Sequence, residues 1–258
     1  MQTLLPSLAA LALASLTPQQ PAAAPQAPTA AAAQKHSAVT PAERNGEEWW
    51  KQRLQTCNER IHKGDVGLIF LGDSITQGWE GEGRAVWEEF YVKRKAINLG
   101  FSGDRTQHVL WRIEHQPLEE LAQPSAGKAS PKLVVLMIGT NNSNGADNSA
   151  QEIGDGIRAI VAALQGKLPQ AKVLVLGIFP RGEKPDAQRQ KNAEASAIAA
   201  KLADGKRVHF LDIGPAFLEQ DGTLSKEVMP DLLHLSPKGY RIWAEGIEAK
   251  VKELLGEK

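Results

Sequence analysis

Apolar residues in this chain gather into five short runs, at 66–71, 96–99, 133–138, 173–178 and 208–211, most of them bounded by Gly, Pro or Asp. Runs this short, rich in Val, Ile and Leu and closed by turn residues, predict buried strands. Between them the apolar positions recur at helical spacing. Trp49, Trp50, Leu54, Cys57 and Ile61 form one such stripe ahead of Lys63-Gly64, and further stretches lie at 107–115, 153–168 and 187–202. A last helix is expected over 237–255, opened by Ser236-Pro237, a cap residue followed by a proline in the first turn. Strands that alternate with helices argue a five-stranded parallel sheet with helices on both faces, because parallel neighbours need crossover connections. No internal repeat interrupts the pattern.

Ligands of such a sheet bind beyond the C-terminal strand ends, so chemistry is sought directly after each run. Gly72-Asp73-Ser74 follows the first, Gly100 to Asp104 the second, Gly139-Thr140-Asn141-Asn142 the third and Pro180-Arg181-Gly182-Glu183 the fourth, while Asp231-Leu-Leu-His234 precedes the last helix. A serine at a strand end can expose its hydroxyl at the rim, but Gly-Asp-Ser is also ordinary turn or cap chemistry. His234 between leucines is equally ordinary until Asp231 is considered. A carboxylate three positions earlier can reach Nδ1 of the imidazole and leave Nε2 for Ser74, whereas His36, His62, His108, His115 and His209 have no such partner in a rim loop. Acyl transfer also needs donors for an oxyanion. The rim offers the backbone N–H of Ser74, the backbone N–H of Gly103 and the side-chain amide of Asn141.

Four blocks in this order, carrying Ser74, Gly103, Asn141 and His234, resemble the SGNH (GDSL-type) hydrolases. The likeness extends through Asn98-Leu-Gly-Phe-Ser-Gly-Asp104, His108-Val-Leu-Trp-Arg112, Leu176-Gly-Ile-Phe-Pro-Arg-Gly-Glu-Lys-Pro185 and Asp231-Leu-Leu-His-Leu235, which are similar to the catalytic subunits of platelet-activating-factor acetylhydrolase Ib. The resemblance covers about 69–255. It implies a flavodoxin-like three-layer α/β/α fold and no cofactor. It also implies a serine esterase with Ser74 as nucleophile, His234 as general base and then acid, and Asp231 as the carboxylate that orients the imidazole. Ser74 N–H, Gly103 N–H and the Asn141 amide become the oxyanion hole. Ile75, Thr140 and Leu233, beside the catalytic positions, are expected to shape a shallow pocket for short acyl groups, acetyl foremost. Substrates fall among small-molecule, glycan or lipid esters, such as acetylated carbohydrates or lysophospholipids. A homodimer is compatible with this reading.

Composition narrows the alternatives. Thirty basic and thirty acidic side chains cancel in 258 residues, which removes the electrostatic footprint of a nucleic-acid binder. Cys57 is the only cysteine, so neither an internal disulfide nor a cysteine-based metal site is available. Gly81-Glu-Gly83 is a lone GxG without the longer nucleotide-binding signature. Thr76 stands where an α/β-hydrolase elbow would place glycine two residues after its serine. The charged stretch Arg181, Glu183, Lys184 and Arg189 reads as a solvated loop with ion pairs, Arg105 and Arg112 likewise, and none is assigned a catalytic role. From a different class, a non-catalytic module that holds acylated glycan or lipid is the alternative. Its weakness is the intact set of five site residues.

The first residues carry their own pattern. Positions 4–16 are uncharged and largely apolar, Ala/Pro/Gln-rich sequence follows, and no charged side chain occurs before Lys35. That resembles a signal peptide too short to span a bilayer, with small-residue sites at 22–24 and 31–33 and no Lys or Arg ahead of it. The expected organisation is a leader and linker over 1–41 and one hydrolase domain over 42–258. The expected location is periplasmic or extracellular, without stable membrane insertion once the leader is removed, and the alternative is a cytoplasmic enzyme with an Ala/Pro-rich tail.

Overall fold

The structure is a computed structural model that describes residues 36–44 and 46–257. The expected leader, and most of the linker, lie outside the described residues. Five strands, β1 (Leu68–Gly72), β2 (Ala96–Gly100), β3 (Leu133–Met137), β4 (Lys172–Leu176) and β5 (Val208–Leu211), form one sheet in the order β2-β1-β3-β4-β5. Every pairing is parallel. This is the flavodoxin-like order, whose ligand crevice lies where the winding reverses, at the ends of β1 and β3.

Alternate residues of the strands feed two cores, as a pleated sheet requires. Ile69, Leu71, Leu99, Val134, Leu136 and Val175 face one cluster with the apolar sides of α1 (Glu48–Lys63), α4 (Thr106–His115), α6 (Ala150–Lys167) and α7 (Ala187–Ala200). Leu68, Phe70, Val135, Met137 and Leu174 face the other, with α3 (Arg84–Phe90) and α8 (Pro237–Leu255). The second core is aromatic: Phe70 touches Trp79, Trp87, Tyr91 and Trp243, with ring centroids 4.6–6.1 Å apart. Trp79, two residues ahead of the lone Gly81-Glu-Gly83, is therefore a core residue, 1% exposed.

Two short helices outside the predicted pattern, α2 (Ser74–Gln77) and α5 (Glu119–Ala122), together with α3, complete the α-helices among the described residues. Helix α2 sits almost on the strand ends. A Cβ on Gly100 would come within 2.3 Å of the Gln77 backbone nitrogen, so only glycine at the end of β2 allows this approach. The segment ahead of α1 also belongs to the fold, earlier than the boundary at 42 that composition suggested. Ala38 O accepts from Thr106 Oγ1 at 2.8 Å, Ser37 Oγ from Asn148 Nδ2 at 3.0 Å, and Ala42 N–H donates to Gln107 O at 3.1 Å. Among the described residues no helix is long and apolar enough to cross a membrane.

Candidate active site

Ser74 is placed by its neighbour. Asp73 follows the last residue of β1, and its Oδ1 accepts from Ile75 N–H at 3.0 Å, so the carboxylate caps α2 and Ser74 becomes the first helical residue. Tyr240 of α8 donates its hydroxyl to Ile75 O at 2.7 Å and locks the same turn from the other side. The Ser74 N–H has no partner among the described residues, as expected at a helix start.

The Asp231 carboxylate builds its own loop. Oδ1 accepts from Leu233 N–H at 3.0 Å and His234 N–H at 2.7 Å, while Oδ2 lies 2.6 Å from His234 Nδ1. Leu232 takes up a left-handed φ of 63° to close this turn, a conformation that costs roughly 1–2 kcal/mol for a side-chain-bearing residue. His234 Nε2 then stands 2.8 Å from Ser74 Oγ. With Nδ1 facing a carboxylate, the neutral ring keeps its proton there and presents a bare Nε2 to the serine hydroxyl. Burial alone would raise the Asp231 carboxyl, but the hydrogen bonds from His234 and Leu233 outweigh it and hold it below the ordinary carboxylate range. The row is shallow: the Asp231 and His234 side chains are 57% and 44% exposed.

Gly103 and Asn141 lie on the neighbouring loops. Gly103 has φ of +73° and an N–H with no partner among the described residues; a left-handed turn of this kind is glycine's natural position. Asn141 donates one of its two amide hydrogens to Asp104 O at 2.9 Å, which fixes the orientation of the carboxamide and leaves the second hydrogen free. The arrangement thus offers an acceptor for the serine proton and three donor hydrogens that meet no protein acceptor among the described residues. It can pass a proton from Ser74 Oγ to His234 and stabilise negative charge at the rim. Among the described residues no group of three or more His, Cys, Asp or Glu side chains converges as a metal site would require.

The sequence profile of the GDSL-like lipase/acylhydrolase family matches residues 70–242. The chain belongs to this family. It is accordingly a carboxylic ester hydrolase, and all five residues of the row and its donors lie within the match. Platelet-activating factor acetylhydrolase IB subunit alpha1 from Homo sapiens is 39% identical over 191 residues, 74% of this chain and 77% of that protein. Among solved structures, a GDSL-like lipase from Bacteroides thetaiotaomicron aligns with a TM-score of 0.61 at 22% identity, covering 78% of this chain and 97% of that one. An acetylxylan esterase from Geobacillus stearothermophilus aligns with a TM-score of 0.55 at 17% identity, covering 76% and 96%. These two likenesses concern the fold.

Other sequence expectations land differently. Ile75 and Thr140 are each 1% exposed and pack inward, so of the three expected pocket residues only Leu233, half-buried, has surface at the rim. The charged stretch after β4 is not simply solvated. Arg181 donates to Thr140 O, Thr140 Oγ1 and Asn144 Oδ1, and Arg189 to the carbonyls of Arg181, Gly182 and Gly222, so both guanidiniums hold backbone. Gly182 N–H reaches Leu232 O at 2.9 Å and ties this loop to that of His234. Arg112 is fully buried against Asp104 at 2.8 Å and stacks over Phe101, whereas Arg105 remains near the surface with Asp147. Asp73 and Asp104, both buried, were the acidic residues that sequence reasoning passed over. Their place beside Ser74 and Gly103 was the available signal.

Proposed function

We propose that this family member is a serine esterase of short acyl esters, acetyl first, acting through an acyl-enzyme on Ser74. The observation that carries the reading is the continuous row Ser74 Oγ, His234 Nε2, His234 Nδ1 and Asp231 Oδ2, with contacts of 2.8 and 2.6 Å. His234 takes the hydroxyl proton as Ser74 attacks the ester carbonyl, and the imidazolium that forms is stabilised by Asp231. The N–H groups of Ser74 and Gly103 and the free amide hydrogen of Asn141 receive the oxyanion. His234 then protonates the leaving alcohol, and water repeats the sequence on the acyl-enzyme.

Preference for small acyl groups is supported by the shallow, exposed row and by the acetyl esters in the names of an acetylhydrolase relative and an acetylxylan esterase neighbour. Acetylated carbohydrate and lysophospholipid are the two substrate types to be separated. The uncharged, apolar start of the chain supports export. Recovery of the mature chain from the periplasm or medium, with a new N-terminus at or before residue 35, is expected; an intact cytoplasmic chain would reverse that part.

The test is turnover of p-nitrophenyl esters from two to sixteen carbons by wild type, Ser74→Ala and His234→Ala. Acetate and butyrate should be the best substrates, and both variants should lose several orders of magnitude in kcat. Near-intact acetate hydrolysis in His234→Ala would remove the assigned base, and a preference for the longest chains would overturn the acyl assignment.

A further inference from the structure

Arg44 lies upstream of the residues that the family profile matches, yet its guanidinium reaches the oxyanion loop. Nη1 donates to the carbonyl oxygen of Ser102. That carbonyl belongs to the same peptide group as the Gly103 N–H. Because a trans peptide is planar, its C=O and N–H point in opposite directions. A guanidinium that grips Ser102 O on one side therefore fixes the direction of the Gly103 N–H on the other, where no protein acceptor meets it among the described residues. The contact also polarises the amide. A charge-assisted hydrogen bond draws electron density toward the carbonyl oxygen and makes the N–H of the same peptide a stronger donor.

The guanidinium is itself held. Nε and Nη2 meet the two carboxylate oxygens of Glu47 at 3.0 and 2.5 Å, Nη1 lies 3.5 Å from Asp104 Oδ1, and the group stacks over Trp49 at 5.3 Å. Asp104 is anchored in turn by Arg112 Nε at 2.8 Å and Trp50 Nε1 at 3.1 Å, and its carbonyl orients Asn141. The short stretch 102–104 thus connects Arg44 to both donors that do not belong to Ser74. A Cβ on Gly103 would lie 2.9 Å from Arg44 Nη1, so the guanidinium fills the space that a side chain would need. Glu47 and Asp104 offset the positive charge. What remains is directional, a fixed and polarised peptide.

We propose that Arg44 is a positioning residue of the oxyanion hole, holding and polarising the Ser102–Gly103 peptide so that its N–H meets the developing oxyanion. This rests on Gly103 and Asn141 serving as the hole. The test compares full-length wild type, Arg44→Ala and Asn141→Ala for kcat and KM on p-nitrophenyl acetate and for inhibition by an alkyl trifluoromethyl ketone, whose serine adduct carries the oxyanion. Losing a donor outright costs roughly 10²–10³-fold in kcat, and misplacing one should cost Arg44→Ala about 10- to 100-fold. KM should stay within about twofold, and ketone affinity should fall by the same factor as kcat/KM. Wild-type kcat and ketone affinity in Arg44→Ala, with Asn141→Ala still impaired, would overturn the inference and leave the hole in place. Wild-type kcat in both would overturn the hole itself. A kcat loss with unchanged ketone affinity would also overturn it. Arg44→Met, which keeps the aliphatic stem, carries the same readings if the alanine variant does not fold.

Discussion

Asn142 spends its carboxamide on the fold: Oδ1 accepts from Thr106 N–H, and Nδ2 faces Thr106 Oγ1, Gln107 Oε1 and Asn148 Oδ1 at 3.0–3.1 Å. Asn141, one residue earlier, spends a single hydrogen on Asp104 O. Asn141→Ala should therefore lower kcat by roughly 10²-fold with little change in unfolding free energy, while Asn142→Ala should destabilise by about 1–3 kcal/mol. Asp73 gives a pH-dependent case. Burial, with the nearby Asp104 charge, pushes its carboxyl up to about 7 against the opposing Ile75 N–H and Arg181. A carboxyl whose folded pKa exceeds its unfolded one contributes stability that is complete below the unfolded pKa and is lost as pH rises through the folded one. Asp73→Asn keeps a capping oxygen without the charge. Its stability relative to wild type should rise between pH 4 and pH 8 in denaturant titrations, and a pH-independent difference would contradict this. That Ser74, His234 and Asp231 would meet was legible because each stands in a short block whose local spacing carries meaning. Arg44 was not, since its partner Ser102 is 58 positions away and nothing local marks the contact.

Between elements, close approach and one buried ion pair set the site. Gly100 lets α2 cross the end of β2, and Gly100→Ala would drive a methyl into the Thr76 and Gln77 backbone, with an expected cost of about 1–3 kcal/mol or more by urea unfolding. Arg112 and Asp104, both fully buried, join α4 to the loop after β2. Arg112→Met takes away the nearest charge partner of the buried carboxylate, leaving it Trp50 Nε1 at 3.1 Å and Arg44 Nη1 at 3.5 Å, and should destabilise by about 3 kcal/mol; a loss under 1 kcal/mol would show that the pair is dispensable. The long helices and all five strands were readable from period and punctuation. Helix α3 was not, because seven residues make barely two turns and no side chain caps its start; it is held by Val86 and Trp87 against the aromatic core. Pocket shape was equally hidden. Adjacency in sequence to Ser74 or Asn141 does not say which way a side chain faces, and Ile75 and Thr140 are buried.

At the scale of the molecule, the order β2-β1-β3-β4-β5 places the winding reversal beside β1, so that Ser74 emerges at the crevice with the β2 and β3 loops on either side. Alternation of strands and helices made the fold class legible, and the rule that ligands gather at C-terminal strand ends located the rim. The segment 36–41 falls in the stretch expected as linker, yet it makes defined contacts with the domain. Its anchors on Thr106 and Asn148 are long-range and leave no periodic trace. The central claim is that one hydroxyl, activated by His234, carries the acyl group. It is tested most directly by reacting the folded protein with a fluorophosphonate and mapping the adduct by mass spectrometry in wild type, Ser74→Ala and His234→Ala. One phosphonyl group on Ser74 in wild type, none in Ser74→Ala and strongly slowed labelling in His234→Ala is the expected result. Labelling at another residue, or none in folded wild type, would contradict it.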